Sequence, residues 1–409
     1  MRPRGGTHLY ERFIARQPIF DERLKVFAYE LLFRAGPQNI FQPRKDASSS
    51  VIVDSATLFD LQTLTGHAKA FINVDEAALL SGAARLLPAS RIVVEILETV
   101  APTPEVVQAC TELCESGYTL ALDDFADHPK WEPLLRLAKF LKVDFRDSDA
   151  DARCAIAKRH RSNGVHLLAE KVETQEEMKQ ARAFGYSYFQ GFFFCKPVMV
   201  EGRDIPGNKL TYIQLLKAIA EPELSYTRIE ELLKHEPSLV YKLLRYLNSP
   251  LVGLRVEIHG VREAIALLGE REFRRWVSVV AIVSMASDKA PEIVRTALTR
   301  AYFCEDISRL IGMSAQSSDL FLMGLLSVTD ALLDRPLEQI IASVPVSAEV
   351  RDALSGGTNR FRDVYETLLA YERADWTTLS ATVVRFSSIE AQVPGCYLAA
   401  AGRASELAP

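Results

Sequence analysis

The chain reads as two domains of different class, an α/β half built as a (β/α)8 barrel and an all-α half after it. Three observations predict this. About eight short apolar runs alternate with helix-period segments up to about residue 197. From about residue 206 onward, apolar residues recur three and four apart with hardly a strand-like run among them. The 409 residues exceed what one ordinary core organises, and the length favours two or three domains.

The strand-like runs are FIARQPIF (13–20), KVFAYELLF (25–33), KAFINV (69–74), RIVVEIL (91–97), YTLALDD (118–124), FLKVDF (140–145), VHLLAE (165–170) and YFQGFFF (188–194). Between them lie amphipathic segments such as SSSVIVDSATLFDLQTL, EVVQACTELCESG and TQEEMKQARAFG. Continuous Val/Ile/Leu runs alternating with such helices indicate buried, mostly parallel strands. About eight repeats favour a closed barrel over an open doubly wound sheet, although the pattern alone admits both. In the second half KLTYIQLLKAIA, TRIEELLKH, PSLVYKLLRYLN, REAIALLG, REFRRWVSVVAIVSMA and PEIVRTALTRAYFCEDISRLIG carry helical spacing. The join, MVEGRDIPGNKL, is polar and holds Pro206 and Gly207, which suits a short linker. The expected domains are residues 10–200 and 206–409.

Composition narrows the class. Apolar content of 48% with 25% charged residues is that of a folded chain. No apolar run approaches the ~20 residues of a membrane-spanning helix, so no membrane contact is expected. The start, MRPRGGTHLYERF, is positively charged but has no apolar stretch behind it, which predicts no secretory signal. Six scattered cysteines form no disulfide framework. Cys110 and Cys114 are four apart on a helix, and with no matching Cys or His pair they read as buried thiols. These features predict a reduced, cytoplasmic protein. A net charge of −5 with mixed signs argues against direct nucleic-acid binding.

Polar groups collect at the C-terminal ends of the strand runs: Glu30, Asn73, Glu95, the Asp123–Asp124 pair, Lys142, Glu170 and Gln190. A barrel places its active site at that end. Singly, each also suits a solvated rim or a helix cap. Together, carboxylates and side-chain amides in one crevice repel unless cations fill it. All-oxygen ligands select the hard ions Mg²⁺ or Mn²⁺ over zinc. Two adjacent aspartates can bridge a pair of ions, and paired ions suit attack of water on a phosphodiester. The residues alone thus point to a divalent-metal phosphoester hydrolase.

A family resemblance sharpens this. RQPIF (16–20) with YELLFR (29–34) resembles the opening of EAL-type cyclic-di-GMP phosphodiesterases, and INV (72–74), VEILE (94–98), ALDDF (121–125), LKVD (141–144), LAEKVET (168–174) and FQGFFFCKP (189–197) match later motifs in order. The resemblance implies a modified, TIM-like (β/α)8 barrel whose first strand runs against the others. It implies that Glu30, Asn73, Glu95 and Asp123 hold one metal and Asp123, Asp124 and Glu170 the other. Lys142 orients the attacking water, Gln190 hydrogen-bonds in the site, and Arg34 and Gln17 lie near the substrate's phosphate and guanine.

The chain also departs from the family. Leu31 replaces alanine in E-A-L, ADHPKW (126–131) replaces a glycine-bearing loop that couples dimerisation to activity, and Lys171 replaces the glycine of E-G-V-E. The segment between Asn73 and Glu95 is short for an active member. The departures predict slow or absent turnover with nucleotide binding retained, and they leave a homodimer open.

HEPSLVYKLLRYLNSP (235–250) and VREAIALLGEREFRRW (261–276) resemble the HDOD domain, a helical relative of HD phosphohydrolases. The seven histidines include no His-Asp pair, and GLLSVTD (324–330) stands where a hydrolase has G-L-L-H-D. The resemblance therefore implies no metal chemistry here, and His235 and His259 read as cap or packing residues. Contacts with signalling proteins are the role left to this half. Two functions follow: hydrolysis of cyclic di-GMP to its linear dinucleotide, or an inactive sensor or adaptor that acts through protein contacts.

Overall fold

The computed structural model describes residues 12–35, 61–161, 164–195, 207–221, 223–234, 261–344, 346–386 and 389–407. The expected linker core at 196–206, the motif at 235–250, His235, His259 and the Arg34 side chain lie outside the described residues.

Eight strands close into a barrel in sequence order. They are β1 Arg12–Asp21, β2 Val26–Ala35, β3 Lys69–Val74, β4 Ile92–Ile96, β5 Thr119–Leu122, β6 Phe140–Asp144, β7 His166–Glu170 and β8 Tyr188–Gln190. β1 runs antiparallel to both its neighbours, β2 and β8, while β2 to β8 pair in parallel. The β1–β2 hairpin turns on Asp21, whose Oδ1 accepts from the Arg23 and Lys25 amides at 2.8 and 2.9 Å. This is the local side-chain turn that aspartate favours.

YFQGFFF does not stay extended throughout. β8 stops at Gln190, and Phe192–Cys195 forms a 3₁₀ turn. Gly191 makes the break with φ +143°, and a Cβ there would lie 2.0 Å from the Val172 carbonyl oxygen. Only glycine meets that approach.

The described helices of this half are α1 Leu61–Thr65, α2 Glu76–Ser81, α3 Pro104–Glu115, α4 Glu132–Leu135, α5 Ala150–His160 and α6 Gln175–Phe184. Asp75, Thr103, Asp149 and Thr174 cap four of them through side-chain oxygens, and Thr174 and Glu177 form a capping box. Cys110, buried on α3, has its thiol pushed up to about 12 by burial and by Cys114.

The barrel interior is layered. Ile19, Ala28, Phe71, Val93, Ala121, Phe140 and Leu168 form one buried apolar plug. Strand side chains alternate with period two, so the next inward position of each parallel strand lies two residues further on. Those positions are Glu30, Asn73, Glu95, Asp123, Lys142 and Glu170. On the antiparallel β1 the count runs the other way, and Gln17 pairs with Glu30. A dry layer thus floors a polar one.

Beyond residue 206 the described elements are helices: α7 Gly207–Ala220, α8 Tyr226–Lys234, α9 Val261–Met285, α10 Pro291–Leu310, α11 Ser317–Leu326, α12 Thr329–Leu333, α13 Leu337–Ser343, α14 Ala348–Leu354, α15 Arg360–Glu372, α16 Trp376–Val383 and α17 Val393–Leu407. α9 breaks at Gly269 (φ 76°, ψ 157°), where REAIALLG ends. Gly324 of GLLSVTD lets α11 reach α10, since a Cβ would lie 2.4 Å from the Arg300 carbonyl oxygen.

By contacts the chain divides into two compact units: Met1–Phe194 with Leu369–Leu398, and Cys195–Leu368 with Ala399–Pro409. Within the first unit the buried Tyr371 donates its hydroxyl to the Ile14 carbonyl of β1 at 2.7 Å. No helix among the described residues is long and apolar enough to cross a membrane.

Candidate active site

The polar layer at the C-terminal end of the parallel strands brings together nearly all the residues singled out from sequence. Lys142 on β6 is at its centre. Its Nζ lies 2.7 Å from Glu170 Oε1, 3.0 Å from Asp123 Oδ1 and 3.5 Å from Glu30 Oε2, and it also donates to Glu95. Glu30 accepts from Asn73 Nδ2 at 3.1 Å and from Gln190 Nε2 at 2.6 Å. Gln190 Nε2 also reaches Gln17 Oε1 at 3.1 Å.

One ammonium faces four carboxylates here, so the ring stays acidic. Burial pushes the Asp123 carboxyl up to about 9, helped by Glu170 and Glu30 and despite Lys142 at 3.0 Å. Burial likewise takes Glu170 up to about 7, with Glu30 working against the relief that Lys142 gives. Burial alone would raise Glu30 too, but Lys142, Gln190 and Asn73 hold it below its ordinary value.

Three buried oxygens in this ring have no hydrogen-bond donor among the described residues: Asn73 Oδ1, Glu95 Oε2 and Gln190 Oε1. Buried acceptors without partners are costly, and a cation removes that cost. Glu30, Glu95 and Glu170 each offer an oxygen within 4.8 Å of the others, and Glu98, Asp123 and Asp124 do the same at the more exposed lip. Both sets are purely carboxylate, the chemistry of hard divalent ions. The residues therefore fit a metal centre.

The spacing groups Glu170 with Glu30 and Glu95, whereas the resemblance implies that it joins Asp123 and Asp124. Glu98 is the acidic residue that sequence reasoning missed. It sits two positions beyond the β4 strand end, and the second glutamate of VEILE was its only signal.

The departures take definite forms. Leu31 is fully buried and, one residue from Glu30, points to the opposite face of β2. Lys171 holds φ +53°, a left-handed backbone that explains glycine at this place in the family. Its ammonium bridges to Asp144, the β6 carboxylate two residues beyond Lys142. Although burial opposes it, this pairing holds Asp144 below its ordinary value. ADHPKW is pinned at both ends. Trp131 is buried, and Asp127 pairs with Arg159 at 2.9 Å and His160 at 3.2 Å on α5.

Comparison with known proteins agrees with this architecture. The EAL domain model matches residues 11–197, and the HDOD domain model matches residues 205–333. A protein of Vibrio cholerae named cyclic di-GMP phosphodiesterase CdgJ is 34% identical over 373 residues, covering 90% of this chain and 86% of its own length. The uncharacterized protein YuxH of Bacillus subtilis is 32% identical, covering 95% of this chain and 97% of its own length. Among solved structures, a Klebsiella pneumoniae BlrP1 calcium/cyclic-di-GMP complex aligns with TM-score 0.39 and 22% identity over 47% of this chain and 57% of that one. Closed barrel, ordered motifs and near full-length relatives together place the chain in the family that joins an EAL domain to an HDOD domain.

Proposed function

We propose that the barrel cleaves cyclic di-GMP to its linear dinucleotide, in the cytoplasm, using Mg²⁺ or Mn²⁺. The observation that carries this reading is the buried acidic ring with donor-less oxygens at Asn73 and Glu95. Glu30, Asn73, Glu95 and Asp123 hold one ion. Asp123 and Asp124 hold the second, completed by Glu170 or, on the observed spacing, by Glu98. Two such ions supply Lewis-acid charge for phosphodiester hydrolysis. Lys142, 2.7 Å from Glu170, orients the attacking water. Gln17 and Gln190, bonded to each other, position the substrate, with Arg34 on its phosphate. The named activity of the Vibrio relative supports the same substrate. The helical half carries the signal onward by binding protein partners.

A second reading, a nucleotide sensor without turnover, is favoured by one feature. Lys142 already bridges the four carboxylates as an internal cation, so an ion must compete with it. Conversion of cyclic di-GMP with Mn²⁺ or Mg²⁺, beside Asp123→Asn and a chelator control, separates the two. The hydrolase reading expects metal-dependent turnover that drops by ~100-fold or more in the variant. Calorimetric binding without turnover leaves the sensor, and turnover indifferent to both controls sinks the metal site.

A further inference from the structure

We propose that His160 and Asp127 are positioning residues for the outer metal site, a role that rests on the metal-dependent reading of the barrel. They form a clasp that sets the backbone at Asp124, and through it the lip set of Glu98, Asp123 and Asp124.

Asp124 holds φ +41°, in the left-handed region. Aspartate enters that region more readily than most residues, but it stays there only where its surroundings hold it. Upstream, the Asp123 amide donates to the Ile96 carbonyl at the end of β4, at 3.0 Å. Downstream, the Phe125 amide donates to the Lys142 carbonyl of β6 at 2.7 Å. The turn at Asp124 is therefore held between two strands, with its carboxylate within 4.8 Å of those of Glu98 and Asp123.

Beyond Phe125 no strand holds the chain, and α5 takes over. Phe125 is 3% exposed and meets the His160 ring edge-on, with centroids 5.4 Å apart at 89°. His160, itself 4% exposed in the last turn of α5, puts Nε2 3.2 Å from Asp127 Oδ1. The other oxygen of Asp127 takes Arg159 Nη1 at 2.9 Å. A buried imidazole needs a polar partner, and here that partner is the loop. One ring so contacts both Phe125, next to the strained ligand, and Asp127, two residues further on. Contacts that orient a ligand without touching the ion govern metal affinity. The inner set is built differently. Glu30, Glu95 and Glu170 stand on β2, β4 and β7, where the strand ladder places them. Breaking the clasp should therefore weaken one ion and spare the other.

The test is Mn²⁺ binding to the full-length chain, followed by electron paramagnetic resonance of the free ion, for the parent, Asp127→Ala and His160→Leu. Asp127 is exposed, so its variant is expected to fold, and melting curves check both. Amide hydrogen exchange over residues 123–127 is measured on the metal-free proteins. The expected result is two ions on the parent, one of them weakened about tenfold or more in each variant and the other little changed. Exchange at 123–127 should quicken in both variants while β2 and β4 stay protected. Two ions held equally by parent and folded variants would overturn the proposal alone, as would unchanged exchange. Both ions weakened alike would show a general loosening and overturn it too. Fewer than two ions on the parent would overturn it together with the paired-ion reading.

Discussion

Lys171 carries a backbone cost and a local charge at once. A non-glycine residue in the left-handed region costs roughly 1–2 kcal/mol, and its ammonium takes Asp144 out of the mouth's free acidic surface. Lys171→Gly should therefore raise turnover of cyclic di-GMP about tenfold, measured with saturating Mn²⁺. Asp123 yields a pH prediction. Burial, with Glu170 and Glu30 beside it, pushes its carboxyl up to about 9 from an ordinary value of 3.8, so the folded state binds the proton more tightly. That stabilisation is complete below the ordinary value and is lost as pH rises through about 9. The melting temperature of metal-free protein should fall between pH 6 and 9, and Asp123→Asn should flatten the slope. Most ring residues were legible in the sequence because each ends an apolar run. Glu98 was not, because it lies past the strand, where an acidic residue is ordinarily a solvated cap.

At the scale of elements, period-two alternation explains why the barrel was readable. On the parallel strands each apolar plug residue is followed two positions later by a site residue, so strand identity and site composition carry the same signal. The 3₁₀ turn after β8 was not readable, because Phe192, Phe193 and Phe194 suit a buried strand equally well. What decides it is the contact of Gly191 with Val172, which is non-local in sequence. Gly191→Ala must move backbone, since the added Cβ meets the Val172 carbonyl oxygen at 2.0 Å. It should destabilise the barrel by on the order of 3 kcal/mol. Chemical denaturation would show this as a lowered midpoint, and an unchanged midpoint would mean that the turn relaxes freely.

For the molecule as a whole, linear order and compact units do not coincide. The sequence places residues 369–398 in the second half, within 206–409, and they cluster with the barrel. Tyr371 is the visible reason. It is fully buried, with its hydroxyl on the Ile14 carbonyl, and a lost buried hydrogen bond costs ~1–3 kcal/mol. A chain cut at residue 200 should therefore melt lower than the full-length protein or aggregate, and adding a 369–398 peptide should recover part of the loss. Equal melting of the cut barrel would show the segment to be dispensable. The same arrangement bears on biosynthesis. The ribosome releases every barrel strand early, yet the last piece of that unit emerges only after residues 195–368 are made. At typical elongation speeds the wait is on the order of ten seconds or more. During it the nascent barrel is unfinished at β1, so the step that completes the barrel waits on synthesis of the segment 369–398.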